Sequence, residues 1–432
     1  MCLLLLVACG SDSSDEADAM TTGSDATLAD AIPGDATLAD AQAVGDAAPL
    51  CAPVVSCPTA PGGYALGDPM INVDPCAFPM QDDDIWAGQT AVVDGLASVL
   101  TTASVTTVLG DLNRSGVAVA ANALSSGTEV ANVNWAFAWN SGDNNVAYWI
   151  PQGLTGSPDA RSDGLVDGKR VALTTWYYDA ASDPSSVGNK GVRISLADAT
   201  NPADVNYRLL LLVEPFDDGG RPNFREIPIH AGGAVWYGSY LYVADTGVGF
   251  RVFDMNRILQ VSTGNDSMGY NAADQMYYAH NYKYVVPQVG RYRHVSDCGP
   301  RYSFVALDRS TTPPSLISGE YNSSSPARRV FRWPLDAATG RLPTGQFYPS
   351  EALLMGYTHV QGAVAHDGQF YLSSSEPPAG RGELASTTTT GMASVNAWVD
   401  GPEDLVFQVS GDKLWSCGEA VGKRYVFSVD AP

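Results

Sequence analysis

From residue 132 onward the chain alternates short apolar runs with Gly, Asp and Ser turns at close spacing. The run HAGGAVWYGSYLYVADTGVGFRVFD, His230 to Asp254, sets the pattern. Ala234–Tyr237 is apolar, Gly238-Ser239 turns, and Tyr240–Ala244 is aromatic and β-branched. Asp245-Thr246-Gly247 turns again, and Phe250–Phe253 follows. Runs of this length, bounded by turn formers, predict β-strands joined by tight turns rather than helices.

Parts of the run recur. HVQGAVAHDGQFYLSSS from His359 keeps the His, the Gly three residues on, the Ala-Val, a turn and an aromatic-Tyr-aliphatic strand. Weaker copies begin at Gln152 (QGLTGSPDA, with a partner run over Arg170–Tyr178), Asp274 (DQMYYAHNYKYVV) and Glu403 (EDLVFQVSGDKLWSCGE). Copy starts near 152, 232, 275, 361 and 404 fall 80, 43, 86 and 43 residues apart, one or two multiples of a unit of roughly 40. A further strand ends repeatedly in an acid: GVRISLAD, GFRVFD, RYSFVALD, RRVFRWPLD and KRYVFSVD. A small sheet cannot cover both of its own faces, so such units must stack on neighbours. The expectation is an all-β chain folded as a β-propeller over residues 132–432, with six blades preferred and five to seven compatible. The last acid-ending strand lies at the C-terminus, which suits a closing blade that mixes strands from both chain ends.

Ahead of the repeats the pattern changes. Residues 51–131 form a lead-in rich in Cys and Pro. Within it QTAVVDGLASVLTTASVTTVLGDLNRSG has apolar spacing compatible with one or two short helices, with Gly110 or Gly116 as a stop signal. Residues 9–50 are Ser, Asp, Ala, Gly and Thr with a direct repeat, SDATLADA at 24–31 and GDATLADA at 34–41. A stretch so poor in large apolar side chains reads as a disordered acidic tether. Its acids lack the spacing of a Ca²⁺ loop.

Charge sharpens this division. The formal net charge of the 432 residues is −23. No Lys or Arg precedes Arg114 while 16 acids do, so the remainder carries 31 acids against 24 bases, a net of only −7. The acidity belongs to the N-terminal segment, and no basic patch points to nucleic acid.

Residues 1–8 read as the end of a lipoprotein signal peptide. LLLLVACGS places Leu6-Val7-Ala8 before Cys9, the pattern of a bacterial lipobox whose Cys is acylated. The basic segment of a signal peptide is missing, and the apolar run is too short to span a bilayer. The expectation is a protein of the bacterial cell envelope, held to a membrane by the lipid on Cys9 and facing the periplasm or exterior. Cys51, Cys57, Cys76, Cys298 and Cys417 then stand in an oxidising compartment, where disulfides are the default. The number is odd, so one is free or pairs elsewhere, and the pairing stays open.

The run IHAGGAVWYGSYLYVADTGVGFRVFDM resembles the blades of NHL, YWTD and related six-bladed propellers. SFVALDRS, RRVFRWPLD, HVQGAVAHDGQFYLSSS and EDLVFQVSGDKLWSCGE resemble a group of uncharacterised secreted bacterial proteins, over roughly residues 132–430. The likeness implies fold; that group carries no activity to transfer. A more distant likeness to streptogramin lyase and gluconolactonase propellers implies only where a site sits.

Candidate chemistry is sparse. His230 and His359 hold the same place in two copies, where an innermost strand would begin, while His280 and His366 lie further into theirs. With Glu403 and Asp404 they have the donors for a metal or for acid–base work near neutral pH. The competing reading gives each His a structural hydrogen bond between blades. No HExxH, GxSxG, P-loop or dinucleotide motif occurs, and no cofactor is implied. Trp135, Trp139, Trp149, Trp176, Tyr177, Trp236 and Tyr237 read as blade packing rather than a sugar platform. Two functions follow: a monomeric, surface-anchored module binding a protein, peptide or glycan through His230, His359, His280, His366 and Glu403, or a channel-mouth lyase or hydrolase using His230, His359 and Glu403.

Overall fold

Turn chemistry sets the blades. In the hairpin from Val360–His366 to Gln369–Ser374, Asp367 and Gly368 both take positive φ, 48° and 78°. That is the two-residue turn whose twist matches paired strands. The corresponding hairpin, Ala234–Tyr237 to Tyr240–Asp245, turns on Gly238 at φ 59°. The computed structural model describes residues 51–432 except 53–55, 187 and 376–380. Cys9, the tether and its repeat lie outside the described residues. The described residues form one compact unit.

Twenty strands build five four-stranded antiparallel meanders among the described residues. Blade 1 is β2 (Trp149–Gly156), β3 (Val171–Tyr178), β4 (Val192–Asp198) and β5 (Asn206–Asp218). Blade 2 is β6 (Ala234–Tyr237), β7 (Tyr240–Asp245), β8 (Gly249–Asp254) and β9 (Tyr284–His294). Blade 3 is β10 (Phe304–Asp308), β11 (Ser315–Gly319), β12 (Arg329–Pro334) and β13 (Glu351–Leu354). Blade 4 is β14 (Val360–His366), β15 (Gln369–Ser374), β16 (Arg381–Thr388) and β17 (Ser394–Asp400). Blade 5 joins β18 (Pro402–Gln408), β19 (Lys413–Gly418) and β20 (Tyr425–Asp430) to β1 (Val133–Ala138), so the two ends of the propeller segment do share a blade.

The inner strands β2, β6, β10, β14 and β18 touch in that cyclic order and close on themselves. The buried apolar side chains fall into five clusters, one at each junction of neighbouring blades. Leu173, Ile194, Ala234 and Leu241 pack blade 1 on blade 2; Val252, Val305 and Phe331 pack blade 2 on blade 3. Ile317, Val330, Ala363 and Leu372 pack blade 3 on blade 4; Val364, Leu384, Leu405 and Phe427 pack blade 4 on blade 5. Phe137, Trp415, Trp176 and Leu154 pack blade 5 on blade 1. The propeller expectation holds, and the five meanders among the described residues fall within the expected range of five to seven blades.

The period of roughly 40 holds over only part of the chain. Inner strands begin at Trp149, Ala234, Phe304, Val360 and Pro402, separated by 85, 70, 56 and 42 residues. Only the last blades keep the short unit; the earlier ones carry insertions. The copy expected at Asp274 is no blade start. Met276–Ala279 pairs with Met268–Asn271 in an inserted hairpin, and β9 that follows is the outer strand of blade 2. RYSFVALD, taken with the acid-ending strands, contains the inner strand β10.

The lead-in wraps the outside. It carries α1 (Trp86–Ala97) and α2 (Val105–Leu109), the second capped by Ser104 and ended at Gly110, as the spacing predicts. Its short strands extend blade edges: Ile71–Asn72 pairs with β13, Arg114–Ser115 with β5 and Val117–Ala118 with β1. Cys51–Cys76 and Cys57–Cys298 are disulfides, and Cys417 in β19 is a buried free thiol.

Trp415 tests the closure. It is fully buried, edge-on to Trp135 at 5.0 Å, and its indole N–H donates to Gln408 at 3.0 Å. Trp415→Ala is expected to lower the unfolding free energy by about 3–5 kcal/mol, read by urea denaturation. A loss below about 1 kcal/mol would mean that the ring is not part of the structure that closes the propeller.

Candidate functional site

Three inner strands carry a β-bulge near their first residues. Pairing slips between Pro151 and Leu154 in β2, between Val360 and Gly362 in β14, and between Pro402 and Leu405 in β18. A bulge re-aims the side chain it leaves unpaired. Here the displaced residues are Gln152, Gln361, Glu403 and Asp404, on blades 1, 4 and 5, which are consecutive around the axis.

The backbones beneath them close tightly. A Cβ on Gly153 would lie 2.7 Å from the Gly233 carbonyl carbon, and one on Gly362 would lie 2.6 Å from Asp404 Cα. Glycine is required at these two positions because strand meets strand. Asp404 is completely buried and ties the ring together. Its Oδ2 accepts the amide N–H of Leu154 and of Ala234, each at 3.1 Å, and its Oδ1 accepts that of Leu405 at 3.0 Å. Burial pushes its pKa well up, opposed by these three N–H donors.

Glu403 shares the burial, and the Gln361 amide donates to its Oε1 over a longer 3.4 Å. Burial pushes its pKa well above the usual carboxylate range, with further push from the negative charges of Glu419 and Asp404. Glu419, after β19, is also raised by burial although the Gln152 amide donates to it at 2.9 Å. Behind it Arg424 is wholly buried. It donates from Nε to the Glu419 carbonyl at 3.0 Å and from Nη1 to the Asp143 carbonyl at 2.7 Å. Tyr177 of β3 is pushed up to about 12 by burial and then by Glu419, Asp179 and Glu403.

The imidazoles divide. His230 and His359 stand just before the inner strands of blades 2 and 4, matching stations as expected. Each meets an aromatic ring of the preceding blade: His230 stacks on Tyr177 at 4.2 Å, and His359 sits edge-on to Tyr321 at 6.0 Å. His230 keeps an edge in solvent, yet the neighbours crowding the rest of the ring lower its pKa. His366 closes β14 at its opposite end, stacked on Phe407 at 4.1 Å. A strand of this length separates its ends by roughly 20 Å, so His366 does not join Glu403. His280 follows the inserted hairpin, where its Nε2 lies 2.8 Å from Glu226 and its Nδ1 3.0 Å from the Asp266 carbonyl. It lines a cleft on the side of the ring. Of the five residues expected to bind, Glu403, His230 and His359 lie at the end where inner strands begin, while His280 and His366 lie elsewhere. Among the described residues no group of three or more His, Cys, Asp or Glu is arranged to hold a metal ion, so the metal option finds no cluster.

Gln152, Gln361, Glu419 and Tyr177 were missed in sequence. Tyr177, expected to pack, does pack against the junction of blades 1 and 2, and it also stacks on His230. The two Gln carry no signal without knowledge of the bulges.

No family model matches the chain, and no curated protein does. Solved structures resemble it weakly. A GH43_1 enzyme from Xanthomonas citri aligns at 11% identity and TM-score 0.33, over 78% of this chain and 92% of that one. The Cps50 (Swd1) β-propeller domain of Myceliophteria thermophila aligns at 11% and 0.31, over 65% and 84%. A gluconolactonase from Xanthomonas campestris aligns at 9% and 0.30, over 74% and 95%. At this level the assignment rests on the chain's own sheets.

The far end of the axis holds another buried acid. Thr155 donates to Asp159 Oδ2 at 2.7 Å, Asp159 Oδ1 has no partner, and burial pushes the pKa from 3.8 to about 7. Folding therefore favours the protonated acid. Its contribution is intact below the unfolded value of 3.8 and is lost as pH rises through about 7. Between those limits the loss is on the order of 4 kcal/mol. Urea midpoints taken from pH 4 to 8 should fall with pH, and Asp159→Asn should flatten that slope. An unchanged slope in the variant would assign the dependence to other acids.

Proposed function

We propose that this chain is an exported, lipid-anchored binding module whose propeller takes a neutral, hydroxyl-rich ligand, of the glycan or polyol class, at the bulged end of its axis. The convergence of Gln152, Gln361 and Glu403 on three consecutive bulges carries this reading. Two amides and a carboxyl whose burial favours its neutral form offer both donors and acceptors, the set that suits hydroxyl groups. Tyr177, under the His230 ring, adds an apolar surface beside them.

The lyase or hydrolase reading draws less support: the His230 ring, though exposed, is stacked on Tyr177 and the His359 ring meets Tyr321 edge-on, contacts that account for where both rings stand. The axis below is closed backbone to backbone, which favours a shallow recognition surface. Export draws support from the two disulfides and from the LVAC run at Leu6–Cys9. No helix among the described residues is long and apolar enough to cross a membrane; the attachment proposed is the lipid at Cys9.

A panel of mono- and oligosaccharides and polyols, screened by calorimetry, tests the ligand class. Glu403→Gln keeps a donor and is expected to hold affinity within about threefold, while Glu403→Ala loses about tenfold or more. Turnover of any sugar lactone or glycoside that collapses in Glu403→Gln would favour the enzyme. For the anchor, Cys9→Ser should abolish incorporation of labelled palmitate and move the protein to the soluble fraction.

A further inference from the structure

Away from the axis, a cleft of about 380 Å³ opens between the outer edge of blade 1, the lead-in at Asn113-Arg114 and the hairpin inserted in blade 2. Its size is that of a small-molecule site. Its charge runs against that of the acidic chain. At one node Arg114 and Arg193 both pair with Asp143, at 3.2 and 2.9 Å, leaving one positive charge in surplus. At a second, Arg208 and Lys283 both pair with Asp111, at 3.4 and 2.9 Å, leaving another. Lys190 and Asp266 balance at 3.0 Å, and Asp183, bonded to the Tyr178 hydroxyl, returns one negative charge. Among the side chains that line the cleft, five cations, Arg114, Lys190, Arg193, Arg208 and Lys283, face three carboxylates, Asp143, Asp183 and Asp266.

Two further features suit a ligand. Arg193 is 3% exposed, yet its Nε has no partner. Beside it stands an aromatic wall: the Tyr178 ring lies 5.0 Å from Trp149 and 5.9 Å from Tyr148. The hairpin is pinned over this wall by Lys190–Asp266 and by His280 between Glu226 and Asp266. That gives the insertion a role in building the cleft.

We infer that this cleft binds a small monocarboxylate whose body presents a flat apolar face, the carboxylate seated among Arg114, Arg193, Arg208 and Lys283 and the face against Tyr148 and Tyr178. A hexuronate and an aromatic acid share this chemistry. The proposal is independent of the axial site.

Calorimetry on the full chain with glucuronate, benzoate, glucose and benzyl alcohol tests it. One of the two acids is expected to bind and its neutral counterpart not; which acid binds names the source. Lys283→Gln should weaken the acid about tenfold through loss of a charge-assisted bond. Asp183→Asn, which removes the opposing charge, should tighten it, a gain that misfolding does not mimic. Absence of heat with both acids, equal affinity for acid and neutral counterpart, or affinity untouched in both variants would overturn the inference.

Discussion

Ring closure is the constraint on which the structure depends. Each blade has two apolar faces and can cover neither, so five blades are satisfied only when there are five junctions. The last blade is completed by β20 pairing with β1, Phe427 opposite Ala136 and Tyr425 opposite Ala138, and the fifth junction is the packing of that blade on blade 1. Bringing strands nearly 290 residues apart together costs about 5 kcal/mol of chain entropy. The junction offsets this several times over, since Trp135, Phe137, Trp176 and Trp415 all lie in its cluster and large aromatic cores contribute about 3–5 kcal/mol apiece. The disulfide from Cys57 to Cys298 fastens the lead-in to the segment between blades 2 and 3, adding a long-range tie to the same ring.

How much of this was readable follows from which signals are local. Strands and turns are local, so the His230 and His359 copies identified true hairpins. Blade number depends on what is inserted between strands, and insertions erase the period in blades 1 to 3. The acid-ending strands misled for a physical reason. Asp198, Asp254, Asp308 and Asp336 each accept the amide N–H two residues on, from Thr200, Asn256, Ser310 and Ala338. The acid marks a turn in which the side chain bonds the following backbone. It does not mark a strand's place in the blade, so inner strand β10 passed for a third strand.

The candidate site was half legible for a related reason. An inner-strand start can be guessed from pattern, which brought Glu403, His230 and His359 forward. A bulge is a defect in pairing between two strands, and a single strand's sequence does not display it. Gln152 and Gln361 owe their position wholly to such defects. His366 belongs to the same copy as His359, but a strand has two ends, and the two imidazoles lie at opposite ends of β14.

Neighbouring Glu403 and Asp404 show how little separates scaffold from site. Both are buried on one bulge. Asp404 turns toward the adjoining strands and spends its acceptors on three backbone N–H groups, which makes it part of the ring. Glu403 turns the other way, toward an amide 3.4 Å off and a second carboxyl. Burying a polar group without good partners is unfavourable by about 1–3 kcal/mol, and Glu403 is buried with one long bond from the Gln361 amide. A carboxyl so placed on a bulge contributes less to the ring than Asp404 does, which is why it serves the proposed ligand-binding reading.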